Sequence, residues 1–126
     1  MTASLTIYGL ANCDTMRKAR TWLREHEISV VFHDYRKEGV DPERLRAWVE
    51  KFGWEKILNR SGTTFRKLPP ERREGLDEQR ALALMLEQPA MIRRPVLEGQ
   101  GVLLVGFRLE DYAVVLSGAS APDRAL

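Results

Sequence analysis

Leu5-Thr6-Ile7-Tyr8-Gly9-Leu10-Ala11-Asn12-Cys13-Asp14-Thr15-Met16 is the stretch on which the fold turns. Leu5 to Tyr8 is short, mostly apolar and β-prone, and it stops at Gly9 as a buried strand does. A loop over Gly9 to Asn12 leads to Cys13. From Thr15 to His26 the pattern becomes helical: Met16, Ala19, Trp22 and Leu23 share one stripe, with Arg17, Lys18, Arg20, Arg24 and Glu25 around the rest. Cys13 therefore stands at the first turn of a helix, where unpaired N–H groups and the positive end of the helix dipole stabilise an anion. A thiolate is such an anion, so a lowered pKa and raised nucleophilicity are expected. Arg17, at i+4, is expected to add a cation beside the sulfur. The competing reading is an inert buried thiol, the usual fate of a lone cysteine. The strand–loop–cysteine–helix context favours the reactive one.

Working outward, Ile28 to Phe32 is a second β-branched run, followed by His33-Asp34-Tyr35-Arg36. Asp41-Pro42-Glu43 reads as a helix start, with Asp41 as N-cap and Pro42 at the first helical position. Leu45, Trp48, Val49 and Phe52 form its apolar face, and Gly53 ends it. Trp54 to Leu58 reads as a further turn, Arg60 to Thr64 as a loop, and about Asp77 to Gln88 as a helix stopped by Pro89. Val96-Leu97 and Val102 to Val105 are short strands separated by the hairpin turn Glu98-Gly99-Gln100-Gly101. A last helix spans about Leu109 to Leu116, and residues 117–126 are expected to form a flexible tail.

The order is β-α-β, a helical middle, then β-β-α. The first two strands, joined by a helix, should be parallel with a right-handed crossover, and the last two antiparallel. These features predict an α/β, thioredoxin-like fold. A four-stranded mixed sheet forms one domain over residues 1–116, with a helical insertion at about 41–90.

Composition narrows the function. The chain has 126 residues, a net charge of +2 and one cysteine. So small a net charge argues against a nucleic-acid-binding protein. One thiol excludes an internal disulfide and a multi-cysteine zinc cage, and no metal site is expected. No segment has the ~18 apolar residues of a membrane span. The N-terminus carries no signal-peptide pattern, so a cytoplasmic monomer is expected.

Met16 stands where a dithiol oxidoreductase carries its second cysteine. Cys13 chemistry is thus expected to be monothiol, with the mixed intermediate rescued by an outside thiol such as glutathione. Arg93-Arg94-Pro95 precedes the third strand. In a thioredoxin-like fold that loop faces the cysteine, its proline is commonly cis, and Arg94 would meet an anion held there. Arg60-Ser61-Gly62-Thr63-Thr64 offers a cation, hydroxyls and a permissive glycine, a candidate anion nest. His33 and Asp34 are expected near Cys13, where a Cys–His pair is one reading and a surface hydrogen-bonder the other. Trp22, Trp48 and Trp54 read as packing residues.

Several segments together resemble the arsenate reductase (ArsC) superfamily, closest to its YffB branch and near the Spx regulators. They are Tyr8 to Thr15, His33 to Arg36, Gly53-Trp54, Asn59 to Leu68, and Pro89 to Pro95. The resemblance implies a single catalytic cysteine at Cys13 and glutathione-dependent thiol chemistry. Arg94, Arg60, Arg17, Pro95 and Asn12 would then hold glutathione or an acidic substrate. It implies no bound cofactor; glutathione is the co-substrate, used directly or through glutaredoxin. Glutaredoxin-coupled arsenate reductases surround the cysteine with three arginines. Only Arg94 matches one here, while the others fall on Asn59, beside Arg60, and close to Gly106, near Arg108. Their His-Asn-Pro approach to the cysteine is missing, replaced by Tyr8-Gly9-Leu10-Ala11-Asn12. Loss of such donors weakens an oxyanion site, so a related thiol reductase is favoured over an arsenate reductase. A third reading is a Spx-like regulator that binds RNA polymerase.

Overall fold

The computed structural model describes residues 5–120. The expected mobility of the tail falls largely on residues 121–126, which lie outside the described residues. In chain order the elements begin with β1 (Leu5–Gly9), α1 (Asp14–Glu25) and β2 (Val30–Asp34). There follow α2 (Tyr35–Glu38), α3 (Pro42–Phe52), α4 (Trp54–Ile57), α5 (Thr63–Arg66), α6 (Pro70–Arg73) and α7 (Glu78–Glu87). A 3-10 turn at Pro89–Met91 leads to β3 (Val96–Gly99), β4 (Val102–Val105) and α8 (Leu109–Ser120). By internal contacts the chain forms two compact units. One comprises residues up to His33 and from Arg94 onward, the other Asp34–Arg93.

The first unit carries the sheet, in the order β2-β1-β3-β4. β1 pairs antiparallel with β3, Ile7 opposite Leu97, and β3 antiparallel with β4, Leu97 opposite Leu104. β2, reached from β1 through α1, completes a four-stranded mixed sheet. The β3–β4 connection is a two-residue turn with φ of 53° at Gln100 and 76° at Gly101. Positive φ at both central positions is the type I′ geometry that matches strand twist.

The core of this unit joins strand residues Leu5, Ile7, Leu97 and Val102 to Met16, Ala19 and Leu23 of α1 and to Tyr112 and Leu116 of α8. Tyr112 is fully buried, edge-on to Phe107 (4.7 Å) and Trp22 (5.6 Å), and burial pushes its phenol pKa far up. Its hydroxyl has no hydrogen-bond partner among the described residues. A buried hydroxyl without a partner costs about 1–3 kcal/mol of desolvation. Tyr112→Phe keeps the ring packing and removes that cost. A raised Tm in thermal unfolding is the expected result, and a fall of several degrees would reveal a partner for the oxygen.

β2 begins two residues later than its sequence suggests, and the reason is the end of α1. The Ile28 N–H donates to the Leu23 carbonyl at 2.9 Å, while Glu27 adopts φ 57°. That is a Schellman cap, in which a left-handed residue lets the chain turn back and satisfy a helix carbonyl. Ile28 is thus engaged by the helix and unavailable to the strand. Glycine usually fills the left-handed position, and here glutamate does. α8 also differs from expectation: it runs through Ser117 and Gly118 to Ser120.

The second unit begins at Asp34, where the expected insertion began at about 41. Asp34 is buried and accepts from the Arg36 N–H at 2.8 Å, capping α2. Pro42 opens α3 after Asp41, although the Asp41 side chain makes no capping bond. Gly53, with φ 89°, closes that helix. Trp48 is fully buried with Leu45 and Val49 on its inward stripe. Three short helices escaped the sequence reading: α2, which follows β2 directly, α5, which starts within the expected loop, and α6, which starts at Pro70. The unit closes on backbone bonds from Asn59 N–H to Met91 O and from Arg93 N–H to Ile57 O, both 2.8 Å.

Candidate functional site around Cys13

Cys13 is the N-cap of α1, with extended backbone (φ −141°, ψ 125°). Its carbonyl accepts the first helical bond from the Arg17 N–H at 2.9 Å. An N-cap side chain lies over the first turn, where backbone N–H groups point outward without helical partners. The half-buried Cys13 side chain stands at that end of the helix without making a capping hydrogen bond. Burial is the largest single influence on the sulfur and pushes the thiol pKa up. The Met16 N–H, the Arg94 guanidinium through a hydrogen bond and its charge, and the Thr15 N–H together outweigh burial, so the pKa lies below the ordinary thiol value. The result is a thiol biased toward its nucleophilic anion.

The cation at the sulfur is therefore Arg94, and the role expected of Arg17 is corrected. Arg17 pairs with Asp14, and the two side chains are 66% and 84% exposed. It is not among the groups that shift the thiol. The cause is local: Asp14 lies three residues away on the helix surface, a pairing distance, and turns the guanidinium toward solvent.

Arg94 is half-buried and sits just before β3. The Arg94–Pro95 peptide is cis, and the buried Pro95 offers its carbonyl to the Gly106 N–H at 2.8 Å. The segment carrying the guanidinium is thus tied to the end of β4. Neighbouring Arg93 has a different task, its Nε donating to the Lys56 carbonyl at 2.7 Å within the second unit. Asn12 is exposed at the end of the loop before Cys13. His33 packs its ring 4.9 Å from that of Tyr8.

Arg60 belongs to the second unit. It is exposed, with its guanidinium 5.3 Å from the Trp54 ring centre. The loop around it is organised by Asn59, whose Oδ1 accepts from the Ser61 N–H (3.2 Å) and Oγ (3.0 Å). A Cβ on Gly62 would come within 2.9 Å of the Asn59 amide, so glycine is needed for this close turn. Thr63 and Thr64, expected in the loop, open α5 instead.

One feature lay outside the sequence reading. A groove of about 450 Å³ starts at Asp14, the residue after Cys13, and is lined by Arg17, Lys18, Trp22, Phe107 and Leu109 among others. Trp22, read as a packing residue, does pack partly buried against the core, lies along this groove and stacks on His26 at 3.8 Å. Helical spacing marks Trp22 as inward-facing, and only the position of the segment after β4 reveals the groove. Among the described residues no cluster of three or more His, Cys, Asp or Glu side chains is arranged to hold a metal. No helix there is long and apolar enough to cross a membrane.

Comparison with known proteins gives a consistent result. The model of the ArsC family matches residues 8–115. An uncharacterized protein of Haemophilus influenzae is 39% identical over 86% of this chain and 95% of its own length. The global transcriptional regulator Spx of Enterococcus faecalis is 35% identical over 85% of this chain and 82% of its own. Among solved structures, the YffB (PA3664) protein superposes with a TM-score of 0.86 at 53% identity, covering 90% of this chain and 99% of the other. An ArsC-related protein of Brucella melitensis gives 0.71 at 53% identity, over 90% and 94% of the two chains.

Proposed function

Because this chain belongs to the ArsC family, we propose that it is a thiol reductase with Cys13 as its single nucleophile and glutathione as its co-substrate. The observation that carries the reading is a half-buried cysteine at the N-cap of α1 whose pKa is lowered by the Met16 N–H, by Arg94 and by the Thr15 N–H against the opposing effect of burial. A thiolate held in this way attacks a disulfide sulfur, and the best arrangement keeps the anion populated near neutral pH.

The cycle follows from the cysteine count. Cys13 thiolate attacks the glutathionyl sulfur of a mixed disulfide. The S–S bond breaks, and the substrate leaves as a thiolate that takes a proton from water. The chain has one cysteine and cannot resolve the intermediate internally. A glutathione thiolate therefore attacks the Cys13–glutathione disulfide, releasing oxidised glutathione and restoring the Cys13 thiolate. Arg94 balances negative charge at the sulfur, and Pro95, Asn12 and Arg17 of the same unit are the proposed contacts for glutathione. Its carboxylates suit the exposed cations Arg17 and Lys18 along the groove.

The test is the rate of Cys13 alkylation against pH. A pKa lowered in the folded protein leaves the thiol ionised above that value and protonated below it. The rate should rise through an inflection below the ordinary ~8.5 of a thiol and then level off. An inflection at or above that value ends the nucleophile reading. Titration with glutathione, followed by NMR, should shift signals near Cys13 and Arg94, with the Cys13→Ser variant as control. Including arsenate as an alternative oxidised substrate separates an arsenate reductase from a disulfide reductase.

A second reading is favoured by one observation, the 35% identity to a Spx regulator over most of the chain. It predicts co-purification with RNA polymerase that survives Cys13→Ser, a result that a thiol enzyme does not require.

A further inference from the structure

α1 presents one stripe to the segment after β4: Asp14, Arg17, Lys18, Thr21, Trp22 and Glu25 recur at three- and four-residue spacing. With Phe107 and Leu109 they line the groove of about 450 Å³ that begins beside Cys13. Its two aromatic walls are fixed from behind. Trp22 and Phe107 both rest on the buried Tyr112 ring, at 5.6 Å and 4.7 Å, while Leu109 stays 55% exposed. The apolar floor is therefore preformed and open, which spares an apolar ligand the cost of ordering it.

Charge along the stripe is sorted by distance from the sulfur. At the Cys13 end Arg17 is engaged by Asp14, and after β4 Arg108 lies 3.8 Å from both Glu110 and Asp111. Lys18 and Glu25 have no ion-pair or hydrogen-bond partner among the described residues. Glu25 is the last residue of α1, where a carboxylate opposes the negative end of the helix dipole, so helix stability does not account for it. From Cys13 outward the groove thus offers a cation, an apolar floor and an anion.

We propose that this groove is a specificity site for a protein substrate: it takes an extended segment flanking a glutathionylated cysteine, with an apolar side chain on Trp22, Phe107 and Leu109 and a basic one at Glu25. The inference rests on Cys13 accepting the glutathionyl group, and it names the protein half of that substrate. Glutathione carboxylates occupy the Lys18 end, so the anion left for the protein half is Glu25. α1 has 12 residues, and at ~1.5 Å per residue the stripe is roughly 16–18 Å long. About five extended residues at ~3.3 Å each span it, with side chains on one side about two residues apart. The apolar residue therefore falls about three positions from the cysteine and the basic one about five. In the reaction the Cys13–glutathione bond forms and the glutathione–substrate S–S bond breaks. The segment leaves as a thiolate that takes a proton from water.

The experiment titrates the full Cys13→Ser chain, which binds without exchanging, with an S-glutathionylated peptide, followed by NMR. The peptide is symmetric about its cysteine, so that either chain direction fits. A leucine stands three residues and a lysine five residues away on each side, with glycines between. Signals of Trp22, Phe107 and Leu109 should shift, and glutamate in place of lysine should weaken binding roughly three- to tenfold. Glycine in place of leucine should weaken it about tenfold. Glu25 is exposed and lysine suits that end of the helix, so Glu25→Lys should fold, and in it the glutamate peptide should bind the tighter. An unchanged order of the two peptides in Glu25→Lys, or a titration that leaves Trp22 and Leu109 unmoved, would overturn the proposal. The pH inflection of Cys13 alkylation in the wild type tests the nucleophile separately. A lowered inflection without peptide discrimination defeats the groove alone, and an ordinary inflection with discrimination retained defeats the nucleophile reading alone.

Discussion

Cys13→Ser is expected to remove turnover with glutathione and a glutathionylated substrate, a loss of at least about 10³-fold, because no other residue can form the covalent intermediate. Serine is close in size to cysteine, and the site is only half-buried, so the variant should fold and keep its Tm within about a degree or two. Two measurements separate the outcomes. Steady-state turnover should fall to background, and mass spectrometry of wild type treated with oxidised glutathione should show one adduct that the variant lacks. Retained turnover in Cys13→Ser would exclude covalent catalysis. A wild-type adduct without turnover would indicate that the first attack occurs while resolution needs another thiol, such as that of a glutaredoxin.

Arg94 offers the second large effect. A hydrogen bond to a charged partner is worth about 1.5–3 kcal/mol, and Arg94 adds its charge at short range. Arg94→Ala should therefore raise the thiol pKa and lower the rate at neutral pH by roughly ten- to hundred-fold. The sign follows from which form is stabilised: removing a cation disfavours the thiolate, so the rate–pH curve moves to higher pH and recovers in alkali. Arg94→Lys keeps the charge and loses the planar donor geometry, so it should fall between the two. Arg17→Ala is the internal contrast. Its partner is Asp14 at the surface, so the thiol inflection should remain in place. A shift in Arg17→Ala equal to that in Arg94→Ala would reverse the assignment of the cation.

These contrasts also show what was legible in the sequence. The sequence stretch around Cys13 sufficed for a strand, a loop and an N-terminal cysteine, because each depends on near neighbours. The hairpin between the last two strands and the start of α3 at Pro42 were legible for the same reason, although the turn expected over Glu98 to Gly101 shrinks to Gln100-Gly101 because Glu98 and Gly99 pair within β3. Choosing between Arg17 and Arg94 was a different problem. Spacing put Arg17 near the thiol, but Asp14 competes for it, and that competition depends on side-chain direction. Arg93 and Arg94 look equivalent in sequence. Only the register of the β3 segment shows that one ties to the Lys56 carbonyl and the other reaches the sulfur. The late start of β2 was hidden because glutamate occupies a left-handed cap where glycine would have given the signal.

The division of the chain at His33–Asp34 and Arg93–Arg94 makes Asp34–Arg93 one continuous segment. A segment entered and left by single crossings can change in length or composition without altering the order of the strands on either side of it. Here the downstream junction falls between an arginine that belongs to the segment and an arginine that serves the sulfur. A change in the region before that bond therefore leaves in place the residue after it that acts on the thiol.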